Sequence, residues 1–230
     1  RGNYFWARDG LPVPTWNNTM TKPTFGMVDA KYYHNFESDK EVSQMFGADL
    51  VKLGYYFEGG NFVVNTRGDC LVVNRYRPPS ITANIPDDAF INQYGCKRLI
   101  RLPYLKGIGH ADEVVKFMTD DLVFTDTHEY KKTLEDAGFT VKMLPEPTRK
   151  YETYANSLQI NDTIYVPTFK SPALDKQAMD MYQNLGLKVV PIYTTELATQ
   201  GQGGIHCITM TYPKVPFKRM LREMRGTVVH

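Results

Sequence analysis

Residues 128–144 read HEYKKTLEDAGFTVKML, and this stretch carries the pattern that decides the fold. Its first part places Tyr130, Leu134 and Ala137 at positions i, i+4 and i+7, which is the spacing of an apolar stripe along an α-helix. Gly138 follows at the point where helices commonly end in a residue of positive φ. A short apolar, β-prone run comes next. The stretch therefore predicts a helix, a glycine stop and a strand.

The same pattern of helix, glycine and strand occurs four times along the chain. The predicted helices cover residues 39–46, 86–94, 128–137 and 172–185, their stop residues are Gly47, Gly95, Gly138 and Gly186, and the strands that follow cover residues 49–53, 97–102, 139–144 and 187–192. Successive glycines are separated by 48, 43 and 48 residues, a period typical of repeated supersecondary units. Ordinary α/β alternation with coincidental spacing is the alternative interpretation.

Composition and charge exclude several classes of function. Hydrophobic residues make up 42% of the chain and charged residues 23%, and there is no apolar run of the ~18 residues that a membrane span needs. The net charge of +2 is spread along the sequence, so no broad basic face for nucleic acid is predicted. We therefore expect neither a membrane nor a nucleic acid as a partner. One basic cluster lies at the tail (Lys214, Lys218, Arg219, Arg222 and Arg225) and is expected to be a solvated end.

Three cysteines, Cys70, Cys96 and Cys207, form an odd and widely spaced set without a C-x-x-C pair. Neither a disulfide framework nor a zinc site is predicted from this spacing. A single functional thiol is the remaining option, and we expect no metal.

Unusual polar residues follow the repeated units in loops rich in glycine or in polar residues. They are Glu58 in EGGN, His110 and Asp112 in GIGHAD, Asn156, and Cys207 in GGIHC. If the units are arranged radially, these loops converge on one site. A thiolate there can attack a planar cation, while carboxylates bind the N–H groups of a guanidinium. Taken singly, each residue has a plainer interpretation: Cys207 as a buried structural thiol, His110 as a core or surface histidine, Asp112 as a loop cap.

Five motifs then give the sequence a family resemblance. They are WARDG at 6–10, EGGN at 58–61, GHADE at 109–113, YAN at 154–156 and GGIHCIT at 203–209. In these motifs the chain resembles the agmatine deiminases and Porphyromonas-type peptidylarginine deiminases, which are guanidino-group-modifying enzymes of the pentein superfamily. The resemblance implies an α/β fold, the five-bladed pentein propeller, with the first blade missing or reduced. It also implies a single catalytic domain over residues 1–230, with repeat units at roughly 1–36, 37–85, 86–127, 128–171 and 172–230.

The same resemblance implies a role for each site residue. Cys207 would be the nucleophile and His110 the general acid and base, while Glu58, Asp112 and Asp9 would hold the guanidinium nitrogens. Asn156 matches a polar position near the site, and Trp6 offers a stacking face or a core aromatic. The implied reaction releases ammonia and a ureido product through a covalent thiouronium, without any cofactor.

Several alternatives remain open at this point. An amidinotransferase would use the same cysteine and histidine, and a non-catalytic binding protein could share the fold. A papain-like cysteine hydrolase also pairs Cys with His and Asn, although it has no use for a set of carboxylates.

The substrate is predicted to be agmatine or a peptidyl-arginine, a small-molecule or peptide guanidinium. No arginine occurs between Asp9 and Arg67 to bind a carboxylate, which favours an amine-ended substrate with Glu37, Asp39 or Asp29 as its partner; Tyr32, Tyr33 and Phe36 could instead line a peptide groove. We expect a cytoplasmic protein if it acts on agmatine and a secreted one if it acts on peptidyl-arginine. A homo-oligomer is possible.

Overall fold

The computed structural model describes residues 5–17, 24–29, 38–78, 81–105 and 107–212. The helices are α1 (Ala7–Gly10), α2 (Ser38–Phe46), α3 (Asp87–Gln93), α4 (His128–Asp136), α5 (Pro172–Gln183) and α6 (Thr195–Gly201). The strands are β1 (Val13–Asn17), β2 (Thr24–Asp29), β3 (Asp49–Lys52), β4 (Val63–Val64), β5 (Asp69–Asn74), β6 (Arg98–Pro103), β7 (Val115–Phe117), β8 (Leu122–Thr125), β9 (Thr140–Met143), β10 (Leu158–Ile160), β11 (Thr163–Thr168) and β12 (Lys188–Tyr193). Short 3-10 turns lie at Gly59–Asn61, Thr82–Asn84 and Ala111–Glu113.

Four small sheets of identical topology organise these elements, giving a mixed α/β fold. Sheet 1 is β1-β2-β3, sheet 2 is β4-β5-β6, sheet 3 is β7-β8-β9 and sheet 4 is β10-β11-β12. In each sheet the first two strands pair antiparallel and the second pairs parallel with the third. A parallel pair needs a crossover connection, and α2, α3, α4 and α5 supply it.

The predicted pattern of helix, glycine and strand is confirmed at all four positions. Each predicted helix and strand overlaps an observed one within a few residues, and Gly47, Gly95, Gly138 and Gly186 have φ values of 61°, 76°, 90° and 81°. These are backbone conformations that residues with a Cβ rarely adopt. Each sheet also joins strands from both sides of a predicted unit boundary. In sheet 4, for example, β11 lies in unit 128–171 and its partner β12 lies in unit 172–230.

Among the described residues, three hydrophobic cores fill the spaces between consecutive sheets. On β5, Val72 packs into the core shared with sheet 1 while Leu71 and Val73 face the core shared with sheet 3. On β8, Val123 joins the sheet 2 side and Phe124 the sheet 4 side. Because alternate residues of a strand point to opposite faces, these two central strands are buried on both sides.

A disulfide joins Cys70 to Cys96, so the expectation that no disulfide is present was wrong. Cys70 lies in β5 and Cys96 follows α3, just before the parallel strand β6. The crossover through α3 returns the chain beside its starting point, which places two cysteines 26 residues apart within bonding distance. Sequence spacing does not reveal such a pairing. Cys207 remains the free thiol among the described residues.

Some predicted features lie outside the described residues. They are Tyr32, Tyr33, Phe36, Glu37, the side chain of Asp29, and the basic tail of Lys214, Lys218, Arg219, Arg222 and Arg225. Asp39 is described, and it is buried in the first turn of α2. Among the helices of the described ranges, none combines the length and the apolar character needed to cross a membrane.

Candidate active site

The structure brings the predicted polar residues together from five separate segments. Asp9 lies in α1, Glu58 and His110 each precede a 3-10 turn, Asn156 precedes β10 and Cys207 follows α6. The segments are tied by backbone contacts, since the amide of Arg8 donates to the carbonyl of Cys207 at 3.0 Å. All five of these predicted side chains are buried, as is Asp112 in the turn after His110.

His110 is held between two carboxylates and is only 3% exposed. Its Nε2 lies 3.0 Å from Glu58 Oε2, and its Nδ1 lies 3.6 Å from Asp9 Oδ1. Glu58 is in turn fixed by Arg75, whose Nη1 donates to Oε2 at 2.9 Å. Burial alone would lower the pKa of His110, but the negative charges of Asp9 and Glu58 outweigh it and raise the pKa to about 10. The imidazole is therefore protonated at neutral pH.

Gly60 provides the meeting point of three functional groups. Its amide donates to Asp9 Oδ1 at 2.9 Å. A Cβ at Gly60 would lie 2.7 Å from His110 Nδ1, 2.8 Å from Asp9 Oδ1 and 3.2 Å from Asp112 Oδ1. Only a residue without a side chain allows this approach. Burial raises the pKa of Asp9 to about 6, against the opposing charge of His110.

Cys207 is buried beside an amide and a carboxylate. Asn156 Nδ2 donates to its sulfur at 3.2 Å, and the sulfur lies 3.7 Å from Asp112 Oδ2. Burial, together with the nearby carboxylates of Asp112, Glu113 and Asp9, raises the pKa of the thiol well above its ordinary value. Without a bound cation, the sulfur is a thiol.

Asn156 connects the loops on either side of the nucleophile. Its Oδ1 accepts from the amide of His206 at 2.9 Å, and its Nδ2 also contacts the carbonyl of Asp112 at 3.1 Å. Gly204 permits this packing, because a Cβ there would lie 2.5 Å from Asn156 Oδ1. The side chain thus sets the relative position of Cys207 and Asp112.

Trp6 packs over the glycines that precede the nucleophile. Its six-membered ring covers Gly203, where a Cβ would lie 2.6 Å from Cζ3, and it approaches Gly201 as well. This contact supports the loop that carries Cys207. A stacking role toward a cation stays a prediction.

Sequence reasoning missed three residues around this cluster: His206, Arg75 and Glu113. His206 Nδ1 lies 2.7 Å from Asp112 Oδ2, Arg75 binds Glu58, and the buried Glu113 raises the pKa of the thiol. His206 and Glu113 stand inside the quoted motifs GGIHCIT and GHADE, so their position beside Cys207 and Asp112 was a usable signal. Nothing in the sequence marks Arg75.

Two cavities border the cluster from different sides. One, of about 580 Å³, is lined by His110 and Glu113 together with Leu105, residues 107–109 and the loop at residues 146–153. The other, of about 230 Å³, is lined by Arg8, Asp112 and His206. Within the described ranges, no three His, Cys, Asp or Glu side chains are placed to hold a metal ion. The arrangement offers a thiol, a proton donor and an excess of carboxylates, which suits a planar cation.

A family model matches nearly the whole chain. The model describes the Porphyromonas-type peptidyl-arginine deiminases and matches residues 1–213. A protein of Legionella pneumophila assigned as an agmatine deiminase is 27% identical, with 92% of this chain and 73% of the relative covered.

Solved structures with the same fold come from Porphyromonas gingivalis and Enterococcus faecalis. A Porphyromonas gingivalis protein assigned as an arginine deiminase superposes with a TM-score of 0.73 at 22% identity, covering 93% of this chain and 76% of the other. The agmatine deiminase of Enterococcus faecalis gives a TM-score of 0.71 at 19% identity, covering 91% and 74%. At these identities the likeness shows the fold.

Proposed function

Because the chain belongs to the Porphyromonas-type peptidyl-arginine deiminase family, and is thus a hydrolase of C–N bonds in amidines, we propose that Cys207 attacks a guanidinium carbon and forms a covalent thiouronium. The observation that carries this proposal is the convergence of Asp9, Asp112 and His110 on Gly60, beside the buried sulfur of Cys207. A guanidinium at this place would meet the carboxylates of Asp9 and Asp112.

Substrate binding and thiol ionisation are coupled in this proposal. The carboxylates that raise the pKa of Cys207 in the empty site would be neutralised by a bound guanidinium. The positive charge then favours the thiolate, so the nucleophile forms only when a substrate is present. The proton of the thiol leaves toward solvent or a neighbouring carboxylate.

The first half of the reaction uses the protonated form of His110. The thiolate forms a bond to the guanidinium carbon, and the resulting tetrahedral carbon carries three nitrogens and one sulfur. The imidazolium of His110 gives its proton to one nitrogen, the C–N bond breaks, and ammonia leaves. A thiouronium on Cys207 and a neutral His110 remain.

The second half uses that neutral imidazole as a base. His110 takes a proton from a water molecule while the oxygen attacks the thiouronium carbon. The C–S bond then breaks with its electron pair on sulfur, which regenerates the Cys207 thiolate, and the remaining hydroxyl proton leaves toward solvent or a neighbouring carboxylate. The product carries a C=O in place of the lost C=N and is a ureido compound.

The arrangement of the four sheets fits the same proposal. Each sheet packs on the next through a buried core. Glu58, His110 and Asn156 come from the connections between consecutive sheets, while Asp9 precedes sheet 1 and Cys207 follows sheet 4. We propose that the sheets stand radially around the site, as in a pentein propeller, because loops from successive radial units meet at the axis.

Two observations on the substrate point in different directions. The lack of arginine between Asp9 and Arg67 favours an amine-ended guanidine such as agmatine. The disulfide between Cys70 and Cys96 favours an oxidising compartment, and hence the secreted alternative linked to peptidyl-arginine. Both substrates therefore belong in the test.

The test measures ammonia and ureido product with agmatine, free arginine and an arginine peptide, using the wild type and a Cys207→Ala variant. We expect turnover of at least one guanidine by the wild type and none by the variant. Turnover that persists in the variant would overturn the assigned nucleophile. Adding an amine acceptor distinguishes an amidinotransferase, which would transfer the amidino group and release no ureido product.

A further inference from the structure

His206 and Asp112 form a short, buried contact beside the nucleophile. The distance from His206 Nδ1 to Asp112 Oδ2 is 2.7 Å, and the two side chains are 15% and 1% exposed. Cys207 Sγ approaches the same oxygen at 3.7 Å. The second oxygen, Oδ1, is buried without a hydrogen-bond partner among the described residues. It is also the oxygen that faces Gly60 and the place proposed for the guanidinium.

The direction of this hydrogen bond follows from the charges around the ring. Burial and the positive charge of Arg8 lower the pKa of His206 to about 4, although Asp112 pulls in the opposite direction and Lys116 adds to the lowering. The ring is therefore neutral at neutral pH. An ionised carboxylate can only accept, so the proton of the neutral ring lies on Nδ1 and is donated to Asp112.

A neutral donor has a different effect from an imidazolium. It fixes the carboxylate without cancelling its charge, so Asp112 keeps a full negative charge for a cationic substrate. Burial would raise the pKa of Asp112, but the hydrogen bond from His206 and the charges of His110 and Arg8 lower it. The donor thus keeps Asp112 ionised in a site where water is scarce.

His206 is itself anchored by residues of the site. Its amide donates to Asn156 Oδ1 at 2.9 Å, and its carbonyl accepts from Arg8 Nε at 3.4 Å. Asn156 also donates to Cys207, so the position of the imidazole is set by the same side chain that contacts the sulfur.

From this geometry we infer that His206 is a positioning residue, which holds Asp112 so that Oδ1 faces the guanidinium. The inference rests on the proposed function of the site. His206 does not contact the reacting atoms, and it acts through the carboxylate that does.

The matched variants are His206→Asn and His206→Leu. Both side chains branch at Cγ and have nearly the same shape, but only Asn places an N–H donor where Nδ1 stands. We expect the Asn variant to retain most of kcat/KM. The Leu variant should lose roughly 10- to 100-fold, because a hydrogen bond to a charged group is removed. In the Leu variant the acidic limb of the pH profile, which Asp9 sets in the wild type, should also become steeper, because Asp112 loses the donor that lowers its pKa and then titrates beside Asp9, while His110 and Arg8 remain.

Wild-type activity of both variants, with both folded to the wild-type melting temperature, would overturn the inference, because no hydrogen-bond donor would then be needed at this position. An Asn variant as impaired as the Leu variant would overturn it too, because the restored donor would then have no effect.

A second measurement does not depend on turnover. In ¹⁵N NMR of histidine-labelled protein, the resonances of His206 are identified as those that disappear in His206→Asn. In the wild type at pH 7 they should show a neutral ring protonated at Nδ1. An imidazolium, or a proton on Nε2, would overturn the inference. If the wild type turned over no guanidine, the proposed function would fail, while this NMR result would still decide the state of His206.

Discussion

Five side chains of the site share a volume from which solvent is nearly excluded. They are Asp9, Glu58, His110, Asp112 and Cys207, and each is 2–7% exposed. In such a place charges set one another's pKa values. Three carboxyl groups face one imidazolium here, while the guanidinium of Arg75 pairs with Glu58 and the charge of the buried Arg8 acts on Asp112. A bound guanidinium would add a positive charge beside Asp9 and Asp112, whose negative charges help to keep the thiol protonated until the cation arrives.

The pKa of Asp9, raised to about 6, predicts an acidic limit to activity. As the pH falls through this value, Asp9 takes a proton and loses the charge that attracts the guanidinium. We therefore expect kcat/KM to fall below pH 6, about two units above the limit set by an ordinary aspartate. A profile from pH 4.5 to 8 measures this directly. Full activity at pH 4.5 would contradict it.

Gly60→Ala is predicted to abolish most of the activity. The added Cβ would lie within 3.2 Å of His110 Nδ1, Asp9 Oδ1 and Asp112 Oδ1. Displacement of these groups by a fraction of an ångström should cost roughly 100-fold in kcat/KM.

Gly54→Ala is the matched control, because a Cβ at Gly54 has no heavy atom within 4 Å. It should retain wild-type activity. Equal activity of the two variants would mean that the groups around Gly60 do not need their observed positions.

How much of the site could be read from the sequence depends on the kind of residue. Six residues of the site stand in the quoted motifs, most of which contain glycine, and the structure places all six in one cluster. They are Cys207, His110, Asp112, Glu58, Asp9 and Asn156. Arg75 could not be found in this way. It follows β5 in an unremarkable stretch, and only the fold brings its guanidinium to Glu58.

At the scale of elements, the pattern of helix, glycine and strand was predictable because it is local. The apolar stripe of α4 and the positive φ of Gly138 are set by residues within one stretch. The short first strands of the sheets were not predicted. β4 has two residues and β7 has three, so their pairing depends on neighbouring strands more than on their own sequence.

Gly138→Ala is predicted to destabilise the protein without affecting the site. Its φ of 90° is costly for any residue with a Cβ, by about 1–2 kcal/mol, while the space around it is open. Thermal or urea unfolding should show this loss with an unchanged kcat. Gly54→Ala, which has no such φ, again serves as the control. A Gly138→Ala protein as stable as the control would show that this turn has another conformation.

The disulfide between β5 and the end of α3 gives a further prediction at this scale. Thiol titration of the unfolded chain should find one free thiol before reduction and three after it. Closing a loop of this length should stabilise the fold by roughly 3 kcal/mol. Cys70→Ala with Cys96→Ala should lower stability by that amount. Three thiols before reduction would contradict the pairing.

At the scale of the molecule, the fold depends on sheets that are buried on both faces. β5 and β8 each contribute alternate residues to two different cores, and this links sheets 1 to 4 in sequence order. The period of the four glycines indicated repeated units but could not show which faces meet. Those contacts join residues far apart in the chain, and only the packed structure supplies them.

The account rests most directly on a covalent bond between Cys207 and the guanidinium carbon. The measurement is acid quenching during turnover, followed by mass spectrometry of the Cys207 peptide, with ammonia release followed in parallel for Cys207→Ala. We predict an adduct with the mass of the substrate less one ammonia on Cys207, and no ammonia from the variant. Undiminished ammonia release by the variant would contradict the account.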